Sequence, residues 1–254
     1  MITEKQVEEQ FVKLLPPEDR RGRKVMAVHV PMDHEVAPYA GVTFDEKTIT
    51  LCYTDEVLLA ESDVARAILK HEVCHLTTLP TAMTPPGFSE DTAEFVAWRT
   101  LYCSFCEYMA HQEFRQRFPF EIPGLATHFE RSLGFNIATF KAIVANYLTY
   151  LKNPSLLTGG NRFLFFADLF QTLDTVHLAY MTKNTKFTTV IETKSAEFSE
   201  HCRWILGIFG DVNRKKSHQE KVSELRRLFP TVTALPGSPA AARLWDSVGL
   251  CGKL

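Results

Sequence analysis

The chain has 254 residues, of which 45% are hydrophobic and 23% are charged, and its formal net charge is -2. These values are typical of globular proteins and exclude a collagen-like, mucin-like or wholly disordered chain. The charge is uneven, because residues 201–254 contain 9 Lys or Arg against 4 Asp or Glu, whereas residues 1–200 contain 19 against 26. The total charge favours no nucleic-acid or membrane-surface partner, and the basic C-terminal region keeps nucleic acid as an alternative.

Cysteine usage and the N-terminal sequence bear on the compartment. Six cysteines are scattered along the chain, unlike the dense framework of a small secreted domain. The first residues, MITEKQVEEQFVKLL, carry acids where a signal peptide has a basic and then an apolar run. No apolar stretch approaches the ~20 residues that span a bilayer. We therefore predict a reduced, soluble, cytoplasmic protein without a transmembrane segment; secretion without a signal peptide would fit the same features.

The N-terminal part of the chain predicts a helix followed by a small antiparallel or mixed sheet. Apolar residues at helical spacing indicate the helix, and the Pro16-Pro17 pair ends it. Val-rich alternation and a polar turn at residues 45–47 indicate three strands, the last two joined as a hairpin. The predicted elements are a helix over 3–15 and strands over 24–30, 39–44 and 48–53.

The rest of the chain reads mainly as helices. An apolar stripe predicts a helix from Ser62 or Asp63 to about residue 78, and residues 84–87 (TPPG) break the chain. A second helix is predicted from Ser89 to about Phe118. Further helices are predicted over roughly 125–152, 161–181, 194–209, 214–228 and 238–247, with a possible strand over 187–192. The fold class is therefore α+β, with a catalytic core over 1–120 and a helical subdomain over 121–254 that forms the other wall of a cleft.

The first central helix contains the pattern H-E-x-x-H. His71 and His75 lie four positions apart, so both imidazoles face the same side of the helix and can reach one ion. Zn²⁺ binds imidazole nitrogen, and a catalytic zinc site has three protein ligands with a fourth position open to water. Glu72 is placed to take a proton from that water, as the general base of a metallopeptidase does.

A carboxylate from the second helix is the expected third ligand. Glu90 and Glu94 are also four positions apart and share a helix face. One of them would complete a His-His-Glu site, and the other would accept a hydrogen bond from a ligand imidazole.

These motifs resemble those of the gluzincins, zinc peptidases with HExxH on one helix and the ligand glutamate on the next. The match covers residues 62–100, and the stretch 87–98 (GFSEDTAEFVAW) is similar to their glutamate helix. The resemblance implies a zincin-like helix pair, one zinc per chain bound by His71, His75 and Glu90, and Glu72 as the catalytic base. Glu94 would be the supporting acid or the alternative ligand. The implied activity is zinc-dependent hydrolysis of peptide bonds in a peptide or protein substrate.

Two weaker resemblances and one non-enzymatic alternative stay open. The hairpin followed by AILKHEVCH is similar to SprT-like proteases, which act on DNA-bound proteins; their third ligand is a histidine, for which His111 is the nearest equivalent. ImmA/IrrE-type regulatory peptidases also combine HExxH with a later ExxAxxFA-like helix. The remaining alternative is a zinc-stabilised interaction protein without catalysis.

Gluzincin-like chemistry also needs a hydrogen-bond donor for the oxyanion of the intermediate. The candidates are Tyr147, Tyr150, His177 and Tyr180. Cys74 is expected to act as a small buried hydrophobic residue, and Cys103 and Cys106 to pack in a core. The oligomeric state is not predicted.

Overall fold

The computed structural model describes residues 3–20, 22–30, 40–78 and 92–234. The three strands are β1 (Lys24–His29), β2 (Ala40–Phe44) and β3 (Thr48–Tyr53). The first five helices are α1 (Glu4–Leu14), α2 (Pro17–Arg20), α3 (Asp55–Leu59), α4 (Ser62–Thr78) and α5 (Ala93–Arg117). The later helices are α6 (Ile122–Arg131), α7 (Leu133–Lys152), α8 (Gly160–Met181), α9 (Thr185–Lys194), α10 (Ala196–Asn213) and α11 (His218–Val232).

The described chain forms two compact units, each assembled from separated segments. Unit 1 contains the described residues of 1–84, 106–134 and 178–184. Unit 2 contains those of 85–105, 135–177 and 185–254. Helices α5 and α8 each contribute residues to both units. The catalytic core over 1–120 and the helical subdomain over 121–254 stay predictions.

Unit 1 contains a three-stranded mixed sheet in the order β1-β3-β2. Strand β3 pairs in parallel with β1 and antiparallel with β2, in a register that places Ala40 opposite Tyr53. At the hairpin turn, the Asp45 carboxylate accepts hydrogen bonds from the backbone N–H groups of Lys47 and Thr48, both at 2.7 Å. These hydrogen bonds lower the pKa of Asp45. The α+β class, the mixed sheet and the hairpin are thus confirmed.

Helix α4 is packed on two sides. Its apolar stripe, which includes Leu69 and Val73, lies in the same core as the buried residues of β2, β3 and α1. A second face, with Ala67 and Cys74, packs against Phe114 of α5 and against α6. Because both faces are buried, the orientation of α4 is fixed by packing rather than by helix propensity, and this fixes the side chains between the two faces.

The approach of α6 to α4 depends on Gly124. A Cβ at this position would lie 2.8 Å from the backbone oxygen of Asp63 and 3.0 Å from the Cβ of Ala67. We predict that Gly124→Ala destabilises the protein by about 1–3 kcal/mol, since the two helices would have to separate. The measurement is the midpoint of urea unfolding.

Gly134→Ala in α7 is the matched control for this variant, because a Cβ there meets nothing within 4 Å among the described residues. The control should keep or gain up to about 1 kcal/mol through helix propensity. Equal stability of the two variants would contradict the close contact between α4 and α6.

The core of unit 2 is rich in aromatic side chains. Phe140 packs edge-to-face against Phe187 and Phe198, with ring centroids 5.4 and 5.3 Å apart. Tyr147 lies edge-to-face on Phe198 at 5.0 Å. These rings come from α7, α9 and α10, so the aromatic core joins these three helices.

Two predicted elements are corrected. The strand predicted over 187–192 is wrong, since these residues lie within α9. Its buried side chains, Phe187 and Ile191, are four positions apart, and Thr189 between them is exposed. In a strand all three would lie on one face, whereas in a helix Thr189 lies on a different face from the other two. The single helix predicted over 125–152 is two helices, α6 and α7, separated at Ser132, and the Ser132 hydroxyl donates a hydrogen bond to the carbonyl of Phe129.

The predicted helix over 238–247 and the predicted break at 84–87 lie outside the described residues. Among the helices that the structure describes, none combines the length and apolar character needed to cross a membrane.

Candidate metal centre

Helix α4 brings the two predicted histidines together. The ring centroids of His71 and His75 are 4.8 Å apart, and the rings are nearly perpendicular, at 86°. The side chain of His71 is 13% exposed and that of His75 is 7% exposed. The predicted convergence of the two imidazoles on one helix face is therefore confirmed.

A carboxylate outside the predicted ligand set completes this group. Oε2 of Glu107, on α5, lies 3.3 Å from Nε2 of His75 and 3.6 Å from Nε2 of His71. Tetrahedral ligands at 2.0–2.1 Å from a zinc ion are separated by about 3.3 Å. His71, His75 and Glu107 thus have the spacing of three ligands of one ion, and they could hold a metal ion.

The ionised state of Glu107 also suits a cation. Burial by itself raises the pKa of Glu107, but the positive charge and hydrogen bond of His75, with the charges of His71 and His111, lower it well below its usual value. Nε2 of His71 is buried and has no hydrogen-bond partner within the described residues. A buried nitrogen without a partner is costly, and a metal ion bound beside the carboxylate would satisfy it.

Glu72 lies behind the first histidine. The residue is 6% exposed, and its Oε1 is 3.4 Å from Nδ1 of His71. A carboxylate at this nitrogen holds the imidazole in the tautomer with the proton on Nδ1, which leaves Nε2 free to bind a metal. The contact therefore orients the Nε2 of His71 toward Glu107.

Two further histidines lie around the same group. His111 follows Glu107 by one helical turn, is 2% exposed, and its ring centroid is 4.9 Å from that of His71. His128 of α6 has its pKa lowered to about 4, first by burial and then by the positive charges of His71 and Arg131. Four histidines thus share one buried region of unit 1, and His71, His75, Glu107 and His111 are close together.

The two predicted glutamates are placed differently. Glu90 lies outside the described residues. Glu94 is in the first turn of α5, thirteen positions before Glu107 on the same helix. It belongs to no group of potential metal ligands found among the described residues.

The four candidate oxyanion donors lie on α7 and α8. The Tyr147 hydroxyl is 3.2 Å from Nδ1 of His201 inside unit 2, and burial raises its pKa well above the usual value. Tyr150 packs edge-to-face on Phe165, with centroids 4.9 Å apart. His177 also belongs to unit 2, whereas Tyr180 belongs to unit 1. The role of each as an oxyanion donor stays a prediction.

The cysteines near the motif are structural. Cys74 is fully buried beside Phe114, and burial raises its pKa to about 12, as expected of a small core residue. Cys106 is buried and Cys103 is partly exposed. No cysteine is part of a potential metal-binding group within the described residues.

Comparison with known proteins gives no family: no family model matches the chain, and no curated protein or solved structure matches it either. The resemblance to zinc peptidases therefore rests on the motifs in the sequence.

Proposed function

We propose that the protein is a zinc-dependent metallopeptidase with His71, His75 and Glu107 as metal ligands and Glu72 as the general base. The observation that supports this most is the spacing of the three ligand atoms, at 3.3 and 3.6 Å from the Glu107 oxygen to the two histidine nitrogens. Two imidazoles and one carboxylate form a ligand set that zinc hydrolases use while keeping a position open for water.

The residues around the ligands supply the remaining chemistry. A zinc ion at this position would lower the pKa of a bound water to about 7 and polarise a substrate carbonyl. In this mechanism Glu72 would accept the proton of the attacking water and return it to the leaving amine. Because Oε1 of Glu72 contacts His71, its other carboxylate oxygen, Oε2, is the one left for that role.

The third ligand is assigned to Glu107 rather than to Glu94 or Glu90. Glu107 is the carboxylate that contacts both histidines, and its low pKa keeps it ionised. Glu94, in the first turn of α5, lies more than three helical turns away from Glu107 on the same helix.

Metal analysis of purified variants tests this assignment. We predict about one zinc per chain for the wild type, for Glu94→Gln and for the control Glu113→Gln, which changes another carboxylate of α5. Glu107→Gln should retain well under half of the metal, because a neutral amide is a poor ligand in place of a carboxylate. The measurement is zinc content by mass spectrometry after dialysis.

Other results would change the assigned ligand or the proposed activity. Full zinc in Glu107→Gln together with loss of zinc in Glu90→Gln would transfer the ligand role to Glu90. One zinc per chain without chelator-sensitive cleavage of casein would favour a zinc-stabilised interaction protein, whose melting temperature falls on metal removal.

The position of His111 favours a second candidate function, that of an SprT-like protease acting on DNA-bound proteins. Its ring lies 4.9 Å from His71, close enough for a small rearrangement to make it the third ligand. In that case His111→Ala, not Glu107→Gln, would lose zinc. Peptidase activity would also rise with single-stranded DNA and fall steeply between 50 and 200 mM salt, roughly as counterion release requires.

A further inference from the structure

The carboxylate of Glu107 has a second potential metal ligand beside it. Glu107 and His111 are four positions apart on α5, so their side chains lie one turn apart on the same face of the helix. Both belong to a second group of potential metal ligands, whose ligand atoms lie within 4.8 Å of one another. Glu107 is thus shared between this group and the one that it forms with His71 and His75.

His111 is not placed as a further ligand of the ion that His71 and His75 would hold. Such a ligand would lie about 3.3 Å from the nitrogens of both histidines. His111 is not a member of their group, although its ring centroid is 4.9 Å from that of His71. Its ligand nitrogen is therefore close to the Glu107 carboxylate without joining the first set of ligands, as is expected for a neighbouring ion.

The Glu107 carboxylate can serve two ions because it has two oxygens. Oε2 is the oxygen that lies near Nε2 of His75 and of His71, at 3.3 and 3.6 Å, so Oε1 is the one left for a second ion. Metal ions in two-metal hydrolytic sites are roughly 3.5–4 Å apart, a separation that one carboxylate bridges. The Glu107 side chain is 36% exposed, and water can therefore complete the coordination of a second ion.

We propose that Glu107 and His111 bind a second, exchangeable divalent cation, with Glu107 bridging it to the zinc ion of the proposed peptidase; the inference rests on that proposed function. One imidazole, one carboxylate and water form a ligand set that suits Zn²⁺ or Mn²⁺. Two protein ligands hold an ion less tightly than three, so dialysis removes the second ion and leaves one zinc per chain. The occupancy of the second site then follows the free concentration of the cation.

Titration of the dialysed, full-length, one-zinc protein with Mn²⁺ tests the proposal. The electron paramagnetic resonance signal of free Mn²⁺ weakens on binding, and we expect about one manganese per chain. His111→Asn should keep its zinc and bind Mn²⁺ at least about tenfold more weakly. His128→Asn is the matched control: His128 is near His71 but belongs to no group of potential ligands among the described residues, so it should bind both ions.

A second measurement needs no variant and decides the question should His111→Asn fail to fold. Metal-free wild-type protein is loaded with one and then with a second equivalent of Co²⁺, whose unpaired electrons give a resonance signal. Two cobalt ions that share a carboxylate are close enough for their spins to couple, so the signal per cobalt should fall when the second ion binds. A signal that doubles instead would show two separate sites and overturn the bridge.

The outcomes separate this inference from the proposed function. No manganese binding by the wild type up to about 1 mM, or equal binding by His111→Asn, would refute the second site and leave the zinc ligands as assigned, provided that Glu107→Gln loses its zinc. Loss of zinc in His111→Asn would make His111 a ligand of the first ion and overturn the bridge. Full zinc in Glu107→Gln would overturn both the ligand assignment and the bridge.

Discussion

Glu72→Gln is expected to keep about one zinc per chain and to lower peptidase turnover by about 10²–10⁴-fold, the usual contribution of a general base. The amide oxygen of glutamine can still accept a hydrogen bond from Nδ1 of His71, which the Glu72 carboxylate approaches to 3.4 Å. The histidine therefore stays oriented, while the group that takes the proton is lost. The measurement is kcat for chelator-sensitive cleavage, alongside zinc content in the same preparation.

Two comparisons make this prediction decisive. Glu113→Gln, which alters a carboxylate paired with Arg117 at 3.7 Å, should leave both zinc and turnover unchanged. Wild-type turnover in Glu72→Gln would refute the role of Glu72 as base. Loss of zinc in that variant would instead show that its main role is to hold His71 in place.

The part of the site that lies on one helix was predictable from the sequence. His71, Glu72 and His75 are fixed relative to each other by helix geometry alone, because positions four apart share a face. The stripe of α4 that includes Leu69 and Val73 also predicted which side of the helix is buried. Local periodicity is therefore enough to predict both the motif and which side of α4 is buried.

The carboxylate partner was not predicted because it depends on how two helices pack. Glu107 follows His75 by 32 positions, and only the packing of α4 against α5, through Cys74 and Phe114, brings it to the histidines. One signal was present in the sequence: Glu107 and His111 are four positions apart on a predicted helix. The gluzincin-like stretch instead predicted a ligand at the start of the same helix.

The fold shows the same division between local and non-local information. The hairpin of β2 and β3 follows from alternation and from the Asp45 turn, whose hydrogen bonds span only two and three residues. The parallel pairing of β1 with β3 has no local cause. Residues 187–192 misled the prediction because their β-branched side chains favour strands, whereas burial of Phe187 and Ile191 in a helical core decides the conformation.

The second large effect that we predict is loss of stability in acid through His201. This side chain is fully buried, and burial lowers its pKa from 6.5 to about 3. In the unfolded chain the imidazole takes up a proton as the pH falls through 6.5, whereas in the folded chain it stays neutral until about pH 3. Between pH 6.5 and pH 3 the unfolded state thus binds more protons than the folded state. As the pH is lowered through this range, the free energy of unfolding decreases by up to about 1.4 kcal/mol per pH unit, so that about 3 kcal/mol is lost at pH 4 relative to pH 7.

Chemical denaturation at pH 7, 6, 5 and 4 measures this slope. His201→Gln should have a slope shallower by up to about 1.4 kcal/mol per pH unit below pH 6, since it removes the titrating ring and leaves a group that can hydrogen-bond with Tyr147. Tyr147→Phe removes the 3.2 Å contact but keeps the imidazole, so it should lose about 1 kcal/mol at every pH and retain the wild-type slope. Both variants keep the metal-binding residues, so any slope from acid release of metal is common to all three proteins. Equal slopes in the wild type and His201→Gln would show that the buried imidazole does not control the acid stability of unit 2.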